Sequence, residues 1–221
     1  MFTIGESTGI ILSLLAIFVA VIIPFIVEMM KRPELDIEIY PNQLTPVAPH
    51  RFLHGRVVNR PHNRIKWLDR NPAIDTRVKM TFYDRGRTRL FESVDAKWDV
   101  GPECITPLVQ IHIHTQLNTV NVQNINTFDS TKLPFGVKAN ILQDNGGETF
   151  AFVVKHQGQN ECYAFNGWSY QFPNWSNPNW MIGLGEFIIE VAATSGNSVM
   201  KKQYILRNNG PNLADISLAE S

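Results

Sequence analysis

The sequence predicts an all-β fold, an antiparallel β-sandwich carried behind a single N-terminal transmembrane α-helix. Three observations lead there. An uncharged apolar run occupies residues 10–27, period-two alternation recurs from residue 34 to residue 207, and no long helical period follows residue 30. With 221 residues, 44% hydrophobic and 18% charged, the chain has enough apolar surface to fold, as one good-sized domain or two small ones.

The first element is the run "IILSLLAIFVAVIIPFIV", interrupted only by Ser13, Pro24 and two alanines. Eighteen helical residues span roughly 27 Å, close to the hydrocarbon thickness of a bilayer. Fourteen of them are Ile, Leu, Val or Phe, so insertion is favoured by several kcal/mol, on the order of 0.3–0.6 kcal/mol for each central residue. Pro24 predicts a kink that membrane helices tolerate. A cleaved signal peptide is the rival reading, but "MFTIGES" has no basic residue and "VEMMKRPEL" no small-x-small cleavage site. Lys31 and Arg32 follow the run and nothing basic precedes it. The positive-inside rule then places the domain in the cytoplasm. The organisation expected is an anchor over residues 1–31, a sandwich over 34–207 and a flexible tail over 208–221.

The strands follow in order. "LDIEI" sets Leu35, Ile37 and Ile39 on one face. "DTRVKMTFYD" points Val78, Met80 and Phe82 inward and Arg77, Lys79 and Thr81 outward. "VQIHIH" alternates Val109, Ile111 and Ile113 with polar residues. "VKANI" and "TFAFVVK" continue with Val137, Ala139 and Ile141, then Phe150, Phe152 and Val154. "EFIIEVAATSG" aligns Phe187, Ile189, Val191 and Ala193, and "VMKKQYILR" aligns Met200, Tyr204 and Leu206. Many such strands with Gly, Asn and Pro turns argue two packed sheets. The surplus over a minimal sandwich falls in 99–108, 115–136 and 157–182.

The ending "LGEFIIEVAATSGNSVMKKQYILRNNG" resembles the last hairpin of prokaryotic immunoglobulin-like sandwiches. "WLDRNPAIDTRVKMTFYD" and "CYAFNGWSYQFPNWSNPNWMIGLGEF" resemble uncharacterised archaeal and bacterial single-pass membrane proteins with an immunoglobulin-like β-sandwich domain. The resemblance implies the fold and the anchor, and it brings no assigned activity or catalytic residue. Such sandwiches often carry a corner Tyr where Phe187 stands, and Phe187 can supply only its packing.

Net charge is zero, but residues 51–89 hold eleven Lys/Arg against Asp69, Asp75 and Asp84. That segment carries +8 and the remainder −8. Between the second and third strands, "NRPHNRIKWLDRNP" gathers Arg60, Arg64, Lys66, Trp67 and Arg70, and "YDRGRTRLF" adds Arg85 and Arg87. Near an anionic leaflet each such cation contributes about 1 kcal/mol, with Trp67 at headgroup depth. These seven residues are the expected contact with anionic lipid headgroups or an acidic protein partner. Nucleic acid is not expected, because no known binding module accompanies the charge.

No catalytic constellation emerges. There is no G-x-S-x-G and no glycine-rich loop opening a helix. His112 and His114 share a strand face without a third ligand, and no His follows Cys162 as a blue-copper site requires. Metal, cofactor and enzymatic activity are therefore not expected. Cys104 and Cys162 form no C-x-x-C motif and read as two thiols, with one disulfide allowed but not demanded.

The stretch "FNGWSYQFPNWSNPNW" packs Trp168, Trp175 and Trp180 among asparagines and prolines. Its main reading is a long loop held down by buried aromatics. Its alternative is a glycan- or partner-binding loop, with a sequon at Asn174 that matters only outside the cell. The function expected is a non-enzymatic, membrane-anchored binding or scaffold module, or an accessory subunit of a membrane complex. The alternative is an extracytoplasmic envelope module that binds glycan or another surface protein.

Overall fold

The computed structural model describes residues 4–40, 49–62, 65, 68–98, 138–143, 146–196 and 198–221, and the side chains of 4–11 and 14 lie outside that set. The expected strand at 109–114, with the surplus segments 99–108 and 115–136, falls outside the described residues.

One α-helix, α1 (Ile4–Met30), precedes eleven strands: β1 (Leu35–Ile39), β2 (His50–Asn59), β3 (Ala73–Tyr83), β4 (Val94–Asp95), β5 (Ala139–Ile141), β6 (Glu148–His156), β7 (Cys162–Ala164), β8 (Met181–Ile182), β9 (Gly185–Ser195), β10 (Ser198–Asn208) and β11 (Ile216–Glu220). One sheet runs β1-β2-β6-β7-β8; the other runs β11-β10-β9-β3-β4, with β5 also on β3. The described pairings are antiparallel. The two sheets face each other across one apolar core, so the expected sandwich is present in outline.

The alternation read in β3 and β9 is the one that packs. Val78, Met80, Phe82, Ile189, Val191 and Ala193 are fully buried in that core. Their partners Arg77 and Lys79 stand outside. At roughly 25 cal/mol per Å² of apolar surface, this face is what holds β3 and β9 in register.

β6 departs from the expectation. Phe150 and Phe152 face the core as read, but Val154 packs on the opposite face with Ala151, Tyr163 and Phe165. The cause is a β-bulge: Leu53 pairs with Val153 and His54 with Ala151, which leaves Phe152 as the extra residue. An extra residue reverses the facing of everything beyond it. Val153 turns inward, Lys155 follows it, and His156 turns out.

Residues 208–221 are not a loose tail. β11 pairs with β10 from Tyr204↔Glu220 to Asn208↔Ile216. Ile216 is fully buried and Leu218 packs on the core, so burial of an alternating pair fixes the segment as an edge strand.

Helix α1 is a single 27-residue element with Pro24 inside it. Among the described residues, no helix segment is long and apolar enough to cross a membrane. The run read in the sequence includes Ile10, Ile11 and Leu14, whose side chains lie outside the described residues. The structure therefore does not itself show the expected span. Most of its described apolar side chains, Leu15, Ile17, Phe18, Val21, Ile23 and Phe25 among them, are exposed.

Candidate membrane-facing rim

The helix delivers the chain to one end of the sandwich and is fixed there. The Asn71 N–H donates to the Lys31 carbonyl at 2.6 Å. Arg70 Nη1 donates to the Arg32 carbonyl at 2.9 Å, and Ser198 Oγ to the Pro33 carbonyl at 3.0 Å. Three bonds from two segments hold the backbone of residues 31–33, so the helix exit is tied to the domain.

Antiparallel register decides what else lies at this end. β1 starts here and β2 ends here, at Leu35↔Asn59. The β9–β10 hairpin turns here at Ser195↔Ser198, and β3 begins here beside β5. The rim therefore gathers Arg32, Arg60, Arg70 and Lys138 with three exposed apolar side chains, Ile74, Leu142 and Val199. The opposite end also exposes Leu184, just before β9, so what distinguishes the three is their place beside the helix exit. Pro33, Glu34, Arg60 and Val199 help to line a shallow pocket of about 570 Å³ beside the helix exit.

The cations here are mostly paired. Arg60 Nη2 lies 2.8 Å from Asp36 and also meets Glu38. Arg56 reaches Glu38 at 2.7 Å, and Lys202 reaches Glu220 at 2.8 Å and Asp36 at 3.6 Å. Burial alone would raise the Asp36 carboxyl, but the Arg60 hydrogen bond, the Ile37 N–H and the Lys202 charge hold it below its ordinary value. Arg70 pairs with Glu34, and Lys138 with Asp75 at 2.7 Å. The excess read in residues 51–89 is thus neutralised at this end by Glu34, Asp36 and Glu38, which precede it, while Asp75 within it pairs with Lys138 from outside. Arg32 is exposed with no ion-pair partner among the described residues.

The expected basic residues do not form one surface. Arg60 and Arg70 are on the rim; Arg64, Lys66 and Trp67 lie outside the described residues. Arg85 and Arg87 follow the far end of β3, whose eleven residues span roughly 33 Å. At that far end Arg85 pairs with Glu186 at 3.3 Å, and Glu186 also accepts from Arg207 at 2.9 Å. Arg87 sits exposed in the turn at φ 62°. One flat surface cannot touch both groups.

The three tryptophans also separate. Short 3₁₀ turns at Gly167–Gln171, Pro173–Trp175 and Pro178–Trp180 fold the loop over the outer face of the first sheet. Asn166 caps the first turn, accepting from the Trp168 N–H at 2.8 Å. Trp175 is 2% exposed against Phe52, Phe165 and Tyr170, whereas Trp180 is half-buried and Trp168 is 62% exposed. Asn174 and Trp175 both take left-handed backbone, φ 52° and 55°, a conformation that bulky residues rarely adopt.

Beneath Trp175 lies a pair the sequence did not signal. His50 and His156 are cross-strand partners, and their Nδ1 atoms stand 2.7 Å apart. One ring must donate and the other accept, so both cannot be charged. Burial, then the neighbouring His50 charge, pulls His156 down to about 4. Two ligands do not make a metal centre, and no group of three or more candidate ligands occurs among the described residues. Cys162 is a free, buried thiol, pushed by burial up to about 12, so it is a packing residue rather than a nucleophile. Cys104 lies outside the described residues.

Comparison with protein-family models, with curated proteins and with solved structures found no match.

Proposed function

We propose that the chain is a non-enzymatic, membrane-anchored module: one transmembrane helix holding an immunoglobulin-like β-sandwich against the cytoplasmic leaflet, as a binding or scaffold part of a membrane complex. The observation that carries this reading is the helix surface. Successive residues turn by about 100°, and the exposed Leu15, Ile17, Phe18, Val21, Ile23 and Phe25 therefore surround the helix rather than forming one stripe. A helix apolar on all sides needs an apolar surrounding, and the uncharged run of residues 10–27 has the length of a bilayer core.

The rim supports the second half of the reading. Ile74, Leu142 and Val199 stand exposed at the end where the helix leaves. Lys31 and Arg32 lie between helix and domain, at the depth where anionic headgroups attract cations. Because Arg60 and Arg70 are already paired and Lys31 lies 3.7 Å from Glu28, lipid contact rests chiefly on Arg32 and the apolar trio. At the opposite end Arg85 already meets Glu186, and the exposed Arg87 is the cation there that would meet an acidic protein partner.

The extracytoplasmic reading draws on Trp168, 62% exposed, and on the exposed sequon residue Asn174. One experiment tests the anchor and decides the side. Cells carrying the chain with a tag after Ser221 are treated with protease before and after permeabilisation, and membranes from a parallel sample are washed with alkaline carbonate. Retention in the pellet with a tag cleaved only after permeabilisation is the expected result. Release by carbonate would remove the anchor. A tag cut in intact cells would place the sandwich outside.

A further inference from the structure

The bulge in β6 turns Lys155 into the space between the sheets, at the end far from the helix. The side chain is fully buried. Its cross-strand partners are Arg51 and Cys162, and no carboxylate among the described residues lies within ion-pair distance of it. Instead Nζ donates to the Asn160 carbonyl at 2.9 Å and to Asn208 Oδ1 at 2.8 Å. A buried ammonium without a counter-ion is costly. Burial lowers the Lys155 amine, against the opposing pull of Cys162, Glu161 and Asp215. Once deprotonated, the amine carries a free electron pair.

Asn208, at the end of β10 on the facing sheet, is also fully buried. Its Nδ2 donates to the Asn160 carbonyl at 2.7 Å and to the Gly183 carbonyl at 2.8 Å, which orients the carboxamide and prevents its rotation. The amine nitrogen and the carboxamide nitrogen thus share one acceptor, Asn160 O. With Nζ 2.8 Å from Oδ1, the Asn208 Cγ stands roughly 3.1–4.0 Å from Nζ, a range whose near end is the separation from which attack on a carbonyl begins.

We propose that Lys155 and Asn208 condense into an intramolecular isopeptide bond. The Nζ electron pair forms the Nζ–Cγ bond, and the Cγ–Nδ2 bond breaks. One Nζ proton passes to the departing nitrogen, which leaves as ammonia, and the other stays as the new amide N–H facing Asn160 O. Atoms balance without oxidant or cofactor. The product joins β6 of one sheet to β10 of the other through a covalent staple, in a core whose described cysteine is a free thiol.

The test is mass spectrometry of the full chain purified in detergent. The wild type is expected about 17 Da below its sequence mass, one ammonia lighter. Its digest should contain a branched peptide linking the segments around residues 155 and 208. Lys155→Arg and Asn208→Ala should each return to their own sequence mass, a measurement that does not depend on how well either variant folds. Wild type at its full sequence mass would overturn the proposal. So would the lower mass without a branched peptide, which would mean ring closure at an asparagine instead.

Discussion

Tyr204 and Ile37 connect the two sheets directly: the Tyr204 hydroxyl donates to the Ile37 carbonyl at 2.9 Å, with both residues fully buried. Lys202 Nζ donates to the same carbonyl at 2.9 Å. The edge of β1 is thereby fastened to β10 by two donors, one neutral and one charged.

Removing the hydroxyl is therefore tolerated better than its burial suggests. Tyr204→Phe should cost about 1 kcal/mol, the low end for a buried bond, because Lys202 keeps the Ile37 carbonyl paired. Tyr204→Ala should cost about 3–5 kcal/mol, since it also opens a cavity against Phe152. Urea unfolding of both variants checks the difference. Equal losses would mean that the hydroxyl, not the ring, dominates.

Acid should loosen the fold through His156. Its folded value of about 4 lies below the ordinary 6.5, so below about pH 6.5 the unfolded chain binds a proton the folded chain refuses. The contribution is complete above pH 6.5, declines as pH falls, and levels off below about 4. A shift of this size corresponds to about 3 kcal/mol. His50 beside it is lowered by burial in the same direction. His156→Phe keeps a ring against Trp175 and should flatten the slope of unfolding midpoint against pH between 6.5 and 4. Parallel slopes for the two proteins would remove His156 from the acid response.

Gly55 lies on β2 opposite Phe150. A Cβ there would meet Phe150 Cζ and Phe152 Cε2, each at 2.7 Å. Both rings are in the packed core, so neither can swing clear. Gly55→Ala should destabilise by about 1–3 kcal/mol, read as a lower urea midpoint at unchanged slope. A midpoint equal to wild type would show that the two rings can shift.

These relationships were unevenly legible in the chain. β9, most of β10 and β3 from Thr76 onward follow the alternation because no bulge interrupts them; the irregularity in β3 lies before that, between Ala73 and Thr76. Lys155 and His156 could not be placed, since one extra residue at Phe152 exchanges their faces and no residue type announces it. Ile216 and Leu218 did carry an alternating signal, but the Asn-Gly-Pro stretch before them reads as the end of the fold. Counting cations from 51 to 89 located a charged segment correctly and its partners not at all. Asp36 and Glu38 become neighbours of Arg60 only through the β1–β2 register. The split between Arg70 and Arg85 is likewise a matter of strand length, plain once β3 is drawn.

The most direct test of a sandwich seated on the membrane by its helix-end rim is a depth measurement in anionic nanodiscs. Spin labels at Val199→Cys and, at the opposite end, Gly86→Cys are compared for relaxation by a lipid-headgroup-bound paramagnet. Strong relaxation at 199 with little at 86 is the predicted result, given the roughly 33 Å that β3 spans. Equal, weak relaxation at both positions would contradict it.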